Sequence, residues 1–413
     1  MSPIVIFLIL IFFFTLISKR IEKTILTAPI IFTVAGIGVY LITPELAEVE
    51  LHNHIVLLIA ELTLALLLFT DATRIDTRKL LKETILPVRL LGIGMPLTIL
   101  AGAIVAILVF DGFPIWEAAL LAVILAPTDA SLGQVVVKSQ LVPKPIREAL
   151  NVEAGLNDGL SMPLFVLFVG LAAETDPFLP GDWLLYTAEQ IFFGLLTGII
   201  LGWLGGWLIG ETGNRGWIDK SLQQLGLLAL ALLCYGGAGL IGGNGFIAAF
   251  TGGLLVKRGF EDAHFHTNEF SEVWGQLLNY FVFFIFGMIA IRLLPHFDGA
   301  TLIFAVLSLT IVRMLPVAVA MIRTRLRPAS VLFMGWFGPR GLASIVLGLI
   351  FLEQEVELGF ETTIVRAVGA TVLISILAHG MSALPGIRWY SRRIEGLDET
   401  APELQEPGTV IPG

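Results

Sequence analysis

The chain has 413 residues, 56% hydrophobic and only 14% charged, with a mean hydropathy of +0.88. That balance excludes a water-soluble globular domain and points to a polytopic helical membrane protein. A net charge of −9 with no basic stripe excludes a nucleic-acid partner. The single cysteine, Cys234, excludes disulfides and thiolate metal sites within the chain.

In chain order, thirteen apolar runs predict membrane-spanning helices near 3–18, 24–42, 54–70, 85–110, 114–137, 146–173, 183–210, 221–241, 244–256, 273–294, 299–322, 328–352 and 361–387. The first reads as a retained helix, because Lys19 and Arg20 follow the run instead of preceding it and no small-residue cleavage site ends it. The ninth is short enough to be a half-helix. The loops after odd-numbered spans and the C-terminal tail hold most of the 25 Lys and Arg, among them Arg74, Arg78, Lys138, Arg147, Arg323 and Arg392. The opposite loops hold Glu45, Glu174, Asp176, Glu353 and Glu355. By the positive-inside rule this predicts a multi-pass protein of the cell (plasma) membrane, N-terminus outside and C-terminus cytoplasmic. Residues 1–393 read as one transmembrane domain, and 394–413 as a short disordered cytoplasmic tail. No Walker motif is present, so ATP drive within the chain is excluded, and no cofactor is expected.

Three spans carry charge at mid-depth, where ionisable groups are expensive and mark ion or proton pathways. The fifth holds Ala126-Pro-Thr-Asp-Ala-Ser-Leu-Gly133, in which Pro127 frees backbone carbonyls beside Thr128 and Asp129. Unwound backbone at that depth is tolerated where it lines a cavity or is buried in protein. The sixth carries Glu153 and Asn157 on one face, with Asp158 about 100° further round. The twelfth holds Gly335-Trp-Phe-Gly-Pro-Arg-Gly-Leu-Ala-Ser344, with Arg340 near the midplane. Such an arginine needs a carboxylate, and Glu153 is the chosen partner. Spans five and twelve run in opposite senses and each carries a central proline. This predicts an all-α fold with inverted-topology repeats and two discontinuous crossed helices. Asp71 is placed at a possible inner mouth of the third span. Arg89, Arg313 and Arg366 are expected to snorkel from cytoplasmic ends. His264 and His266, in an inner loop, are candidate pH sensors weighed against ordinary surface histidines, and His379 has no assigned role.

At these motifs the sequence resembles the NhaP/NHE-type sodium/proton antiporters of the cation:proton antiporter family. The matching pieces are Thr128-Asp129, Glu153 with Asn157-Asp158, Gly-Phe-Ile-Ala-Ala-Phe250, and Gly338-Pro-Arg-Gly341. The resemblance implies an NhaA-like fold of about 13 helices in a homodimer. It implies that Asp158 carries either cation or proton. Thr128, Asp129 and Asn157 would shape the site, with Asp158, Asp129 and Thr128 as Na⁺ ligands, and Glu153 with Arg340 would be a structural ion pair. It further implies electroneutral 1:1 exchange, because Asn157 stands where electrogenic relatives have a second aspartate. Two positions depart from the family pattern. Ala154 replaces a serine that could ligate the cation, and Thr70, beside Asp71, replaces a glutamate of the third span.

One titratable carboxylate can exchange a hard cation for a proton because both compete for the same oxygens. The cation is Na⁺ first, with Li⁺ or K⁺ as alternatives, and the partners are that cation, protons, the lipid bilayer and a second copy of the chain. Two rivals are an intramembrane aspartyl protease using Asp129 and Asp158 as a dyad, and a cation channel. Against the protease, Asp129 lacks a preceding Tyr and a protease has no use for Arg340.

Overall fold

The computed structural model describes residues 3–21, 24–44, 54–74, 85–173, 180–260, 270–353, 358–398 and 401–404. His264 and His266 lie outside the described residues. Apolar runs fold as helices here because a helix satisfies every backbone N–H and C=O within its own segment. In order these are α1 (Pro3–Ile21), α2 (Ala28–Ile42), α3 (His54–Arg74), α4 (Ile85–Val109), α5 (Ile115–Ile124), α6 (Ala130–Lys138), α7 (Lys144–Ala172), α8 (Pro180–Asn214), α9 (Lys220–Leu240), α10 (Gly245–Gly259), α11 (Phe270–Leu293), α12 (Gly299–Ala320), α13 (Pro328–Trp336), α14 (Leu342–Glu353) and α15 (Glu361–Ile394). Among the described residues, eight helices are long and apolar enough to cross a bilayer.

Two apolar runs are each split. The fifth becomes α5 and α6, separated by Leu125–Asp129, and the twelfth becomes α13 and α14, separated by Phe337–Gly341. Pro127 and Pro339 fall inside the two breaks, where neither can supply a backbone N–H. The discontinuous helices expected from the sequence are therefore present.

The chain divides into two compact units, and three of the four divisions fall within α3, α7 and α11. The first holds residues 1–57, 79–157 and 280–413. Its core runs through Leu90, Val136, Ile146, Leu150, Val317, Phe333 and Tyr390, with the Phe333 and Tyr390 rings stacked at 4.3 Å. A second cluster gathers Phe7, Phe32, Phe281 and Phe284 from α1, α2 and α11.

The second unit holds residues 58–78 and 158–279. Its packing rests on Gly194, Gly198, Gly202 and Gly206, one per turn along α8. A Cβ at any of them would overlap Asn244, Ala248, Gly252 or Val256 in turn, at the start of and along α10. The two backbones meet directly, which suits helices in lipid, where close van der Waals approach replaces the hydrophobic drive.

Of the tail expected to be disordered from 394, residues 394–398 and 401–404 are described. Gly396, at φ +78°, turns the chain at the end of α15, and Glu403 is fully buried. Its Oε1 accepts from Arg327 N at 2.7 Å and from Ser330 Oγ at 2.8 Å. Arg327 is the N-cap of α13 and has no capping side chain of its own, so the tail carboxylate supplies the cap.

Candidate functional site: the crossing of two broken helices

The two breaks are tied to each other through backbone and charge. Asp129 N donates to Pro339 O at 2.8 Å. The Asp129 carboxylate is the N-cap of α6: Oδ1 accepts from Ser131 N at 2.7 Å, Ser131 Oγ at 2.5 Å and Leu132 N at 3.3 Å. Its Oδ2 accepts from Leu342 N, the first residue of α14, at 2.7 Å. One buried carboxylate thus faces the positive ends of two half-helices. Gly341 allows this approach, since a Cβ there would overlap Asp129 Oδ2.

Arg340 answers at the other end. It is fully buried, and its Nη1 donates to Ala126 O and, at 3.1 Å, to Pro127 O. These carbonyls follow the C-terminal end of α5, where a cation is favoured. The expected Glu153–Arg340 ion pair is therefore not what forms. Glu153 is gripped by Arg313 of α12, Nη1 to Oε1 at 2.5 Å and Nη2 to Oε2 at 2.8 Å, with both side chains 3% exposed. The Ala126 and Pro127 carbonyls take Arg340 Nη1, and Glu153 is left for Arg313. Arg313 does not snorkel; it is buried against Gly338, where a Cβ would overlap the guanidinium.

Asn157 Nδ2 donates to Thr128 Oγ1 at 2.7 Å, fastening α7 to the break between α5 and α6. Asn157 Oδ1 is buried with no hydrogen-bond partner among the described residues. Reversing the amide leaves one of its two polar ends unsatisfied either way. Asp158 follows Asn157 on the same uninterrupted helix and is half-buried. Within its own unit, the next residue, Gly159, lies against the Phe250 ring, which a Cβ would overlap. The Gly-Phe-Ile-Ala-Ala-Phe250 stretch thus holds the helix beside Asp158. Ala154 is buried, and Asp71 is half-buried near the end of α3.

Two polar groups escaped sequence reasoning, and Arg89, expected to snorkel, bonds to backbone instead. Glu61 of α3 accepts from Tyr235 Oη at 2.9 Å. Glu117 of α5 is buried and accepts from Phe360 N at 3.0 Å, capping α15. Arg89 donates Nη2 to Ile322 O at 2.6 Å beyond the end of α12. Glu117 and Arg89 bond to backbone groups at helix ends, which lack intrahelical partners.

The sodium/hydrogen exchanger transmembrane family matches residues 6–389. The chain belongs to that family. It is 26% identical over 404 residues to a K⁺/H⁺ antiporter NhaP of Alkalimonas amylolytica, covering 94% of this chain and 67% of that one. It is 27% identical over 326 residues to Na⁺/H⁺ antiporter 2 of Zygosaccharomyces rouxii, covering 73% of this chain but only 39% of the yeast protein. The fold is shared with the sodium proton antiporter MjNhaP1 from Methanocaldococcus jannaschii, with a TM-score of 0.73 and 19% identity over 92% of this chain and 98% of that one.

Proposed function

We propose that the protein is a secondary active antiporter that exchanges a monovalent cation for protons at Asp158. The observation that carries this reading is the unsatisfied Asn157 Oδ1, held by Thr128 at the crossing and next in sequence to Asp158. A buried amide carbonyl without a donor is costly in a protein alone and suits a site that ligates a hard cation. Asp158, Asn157 and Thr128 are the ligands in this account. Asp129 supplies fixed negative charge, because its carboxylate already accepts from four donors. The same commitment argues against an aspartyl protease dyad, which must pass a proton between its carboxylates.

Relatives named for Na⁺/H⁺ and for K⁺/H⁺ exchange leave sodium first, with lithium and potassium as rivals. The wider reading has residues 1–393 acting as one transport domain. It comprises thirteen crossings, inverted repeats, an outside N-terminus, a cytoplasmic C-terminus and a homodimer in the cell membrane. The single carboxylate beside Asn157 supports electroneutral exchange. The test is dissipation of a pH gradient in everted membrane vesicles on addition of NaCl, LiCl or KCl. Wild-type protein dissipates the gradient with at least one salt, and Asp158→Asn does not. An active Asp158→Asn variant would refute the assignment.

A further inference from the structure

We propose that His379 and Ser375 of α15 are positioning residues that set the conformation of the break between α13 and α14. Ser375, His379 and Ser382 lie four and three residues apart, on one face of α15. All three bond to the broken helix. Arg340 N donates to Ser375 Oγ at 2.7 Å. His379 Nε2 lies 2.9 Å from Trp336 O, the carbonyl of the last residue of α13. Trp336 Nε1 donates to Ser382 Oγ at 2.9 Å.

Donor accounting fixes one end of this arrangement. A carbonyl oxygen can only accept, so the contact with Trp336 O needs a proton on Nε2. Nδ1 lies 3.0 Å from Ser375 O and 3.1 Å from Ser375 Oγ, so the ring is held against Ser375 whichever of the two it bonds. Ser375 Oγ accepts from Arg340 N and His379 Nε2 donates to Trp336 O, so one face of α15 joins Arg340 N to Trp336 O. It fastens both sides of Phe337–Gly341, the segment that presents Pro339 O to Asp129 N and places Arg340 on the α5 carbonyls. His379 is 1% exposed and Ser375 fully buried, so water cannot take over either role. With these bonds cut, Trp336 O keeps only Gly338 N, and Arg340 N loses its Ser375 acceptor at membrane depth, where backbone groups without partners are not sustained. The break must then re-form with Asp129 and Arg340 displaced.

The transport arm of the test rests on the antiport reading above; a spectroscopic arm does not. In proteoliposomes, His379→Leu should raise the half-saturating cation concentration about tenfold, as loss of an outer-shell partner does. His379→Gln, whose amide offers a donor at similar reach, should restore it to within about twofold. Ser375→Ala, which keeps the ring, should move half-saturation in the same direction and covers the case in which His379→Leu does not fold. A purely structural role would lower the melting temperature or the maximal rate and leave half-saturation unchanged. That result, or a His379→Gln variant as impaired as His379→Leu, would overturn the proposal. Should wild-type vesicles show no cation-driven pH change, the antiport reading fails on its own. The proposal is then decided by ¹⁵N spectra of histidine-labelled protein at neutral pH, with the His379 signal assigned by its loss in His379→Gln. A proton on Nε2 is expected; a ring protonated at Nδ1 alone overturns the proposal.

Discussion

Leu342 donates its backbone N–H to Asp129 Oδ2 at 2.7 Å, so the carboxylate that caps α6 also caps α14. Two half-helix N-termini in different spans share one negative charge. The pairing accounts for the position of Asp129 and for the glycine at 341. Asp129→Asn keeps the shape but turns an amide donor toward donors, so it should cost about 2 kcal/mol. Gly341→Ala should also destabilise, because its Cβ overlaps Asp129 Oδ2. Melting of both purified variants in detergent checks this, and a wild-type melting temperature for either would contradict it.

Glu153 and Arg313 form the buried ion pair of the first unit. Removing either partner strands the other charge and should cost about 3–5 kcal/mol. The double variant Glu153→Leu with Arg313→Met should be less unstable than the sum of the singles. A parallel cycle of Glu153 with Arg340 should show much weaker coupling, since the Arg340 guanidinium donates to backbone carbonyls. Thermal melts of the two cycles decide between the partners.

Glu403 reaches back from the C-terminal tail to cap α13. Glu403→Ala should lower stability by about 1 kcal/mol, as loss of an N-cap does. Truncation after Asp398 should reproduce the loss. Unchanged melting of both variants would mean that the tail is not docked.

Asp298 caps α12 from outside the span. The Thr301 backbone N–H, and then the Thr301 side chain, hold its carboxyl below the usual aspartate range. A depressed folded-state value contributes stability that is fully present above the unfolded value and is lost as pH falls through the folded one. The difference in melting temperature between wild type and Asp298→Asn should therefore be steady near neutrality and shrink in acid. A difference that grows as pH falls would reverse the sign.

Much of this architecture was legible before any coordinates, and the failures have definite causes. Pro127 and Pro339 announce the breaks because proline supplies no N–H wherever it stands. Glu153, Asn157 and Asp158 stand out because charge and amide within an apolar run are expensive. The partner of Glu153 was misread because Arg313 lies toward the end of its run, where snorkelling is the usual outcome. Which arginine reaches Glu153 depends on how α7, α12 and the breaks meet, and spacing along one helix does not carry that. The line through His379 was hidden for the same reason, since a lone histidine reads as packing until Trp336 O is placed beside it. The glycines at 194, 198, 202 and 206 were a periodic signal open to reading, and counting small residues every fourth position along α8 would have found the ridge.

The central claim, one carboxylate shared by cation and proton, is tested most directly by cation titrations of vesicle exchange repeated over a series of pH values. Only the deprotonated form of Asp158 binds cation in this account. Half-saturating cation should therefore rise about tenfold for each unit of pH below the carboxyl's own value and level off above it. The acidic limb of the activity profile should move to lower pH as cation is raised. A half-saturation constant that stays flat across the acidic limb would contradict the shared site.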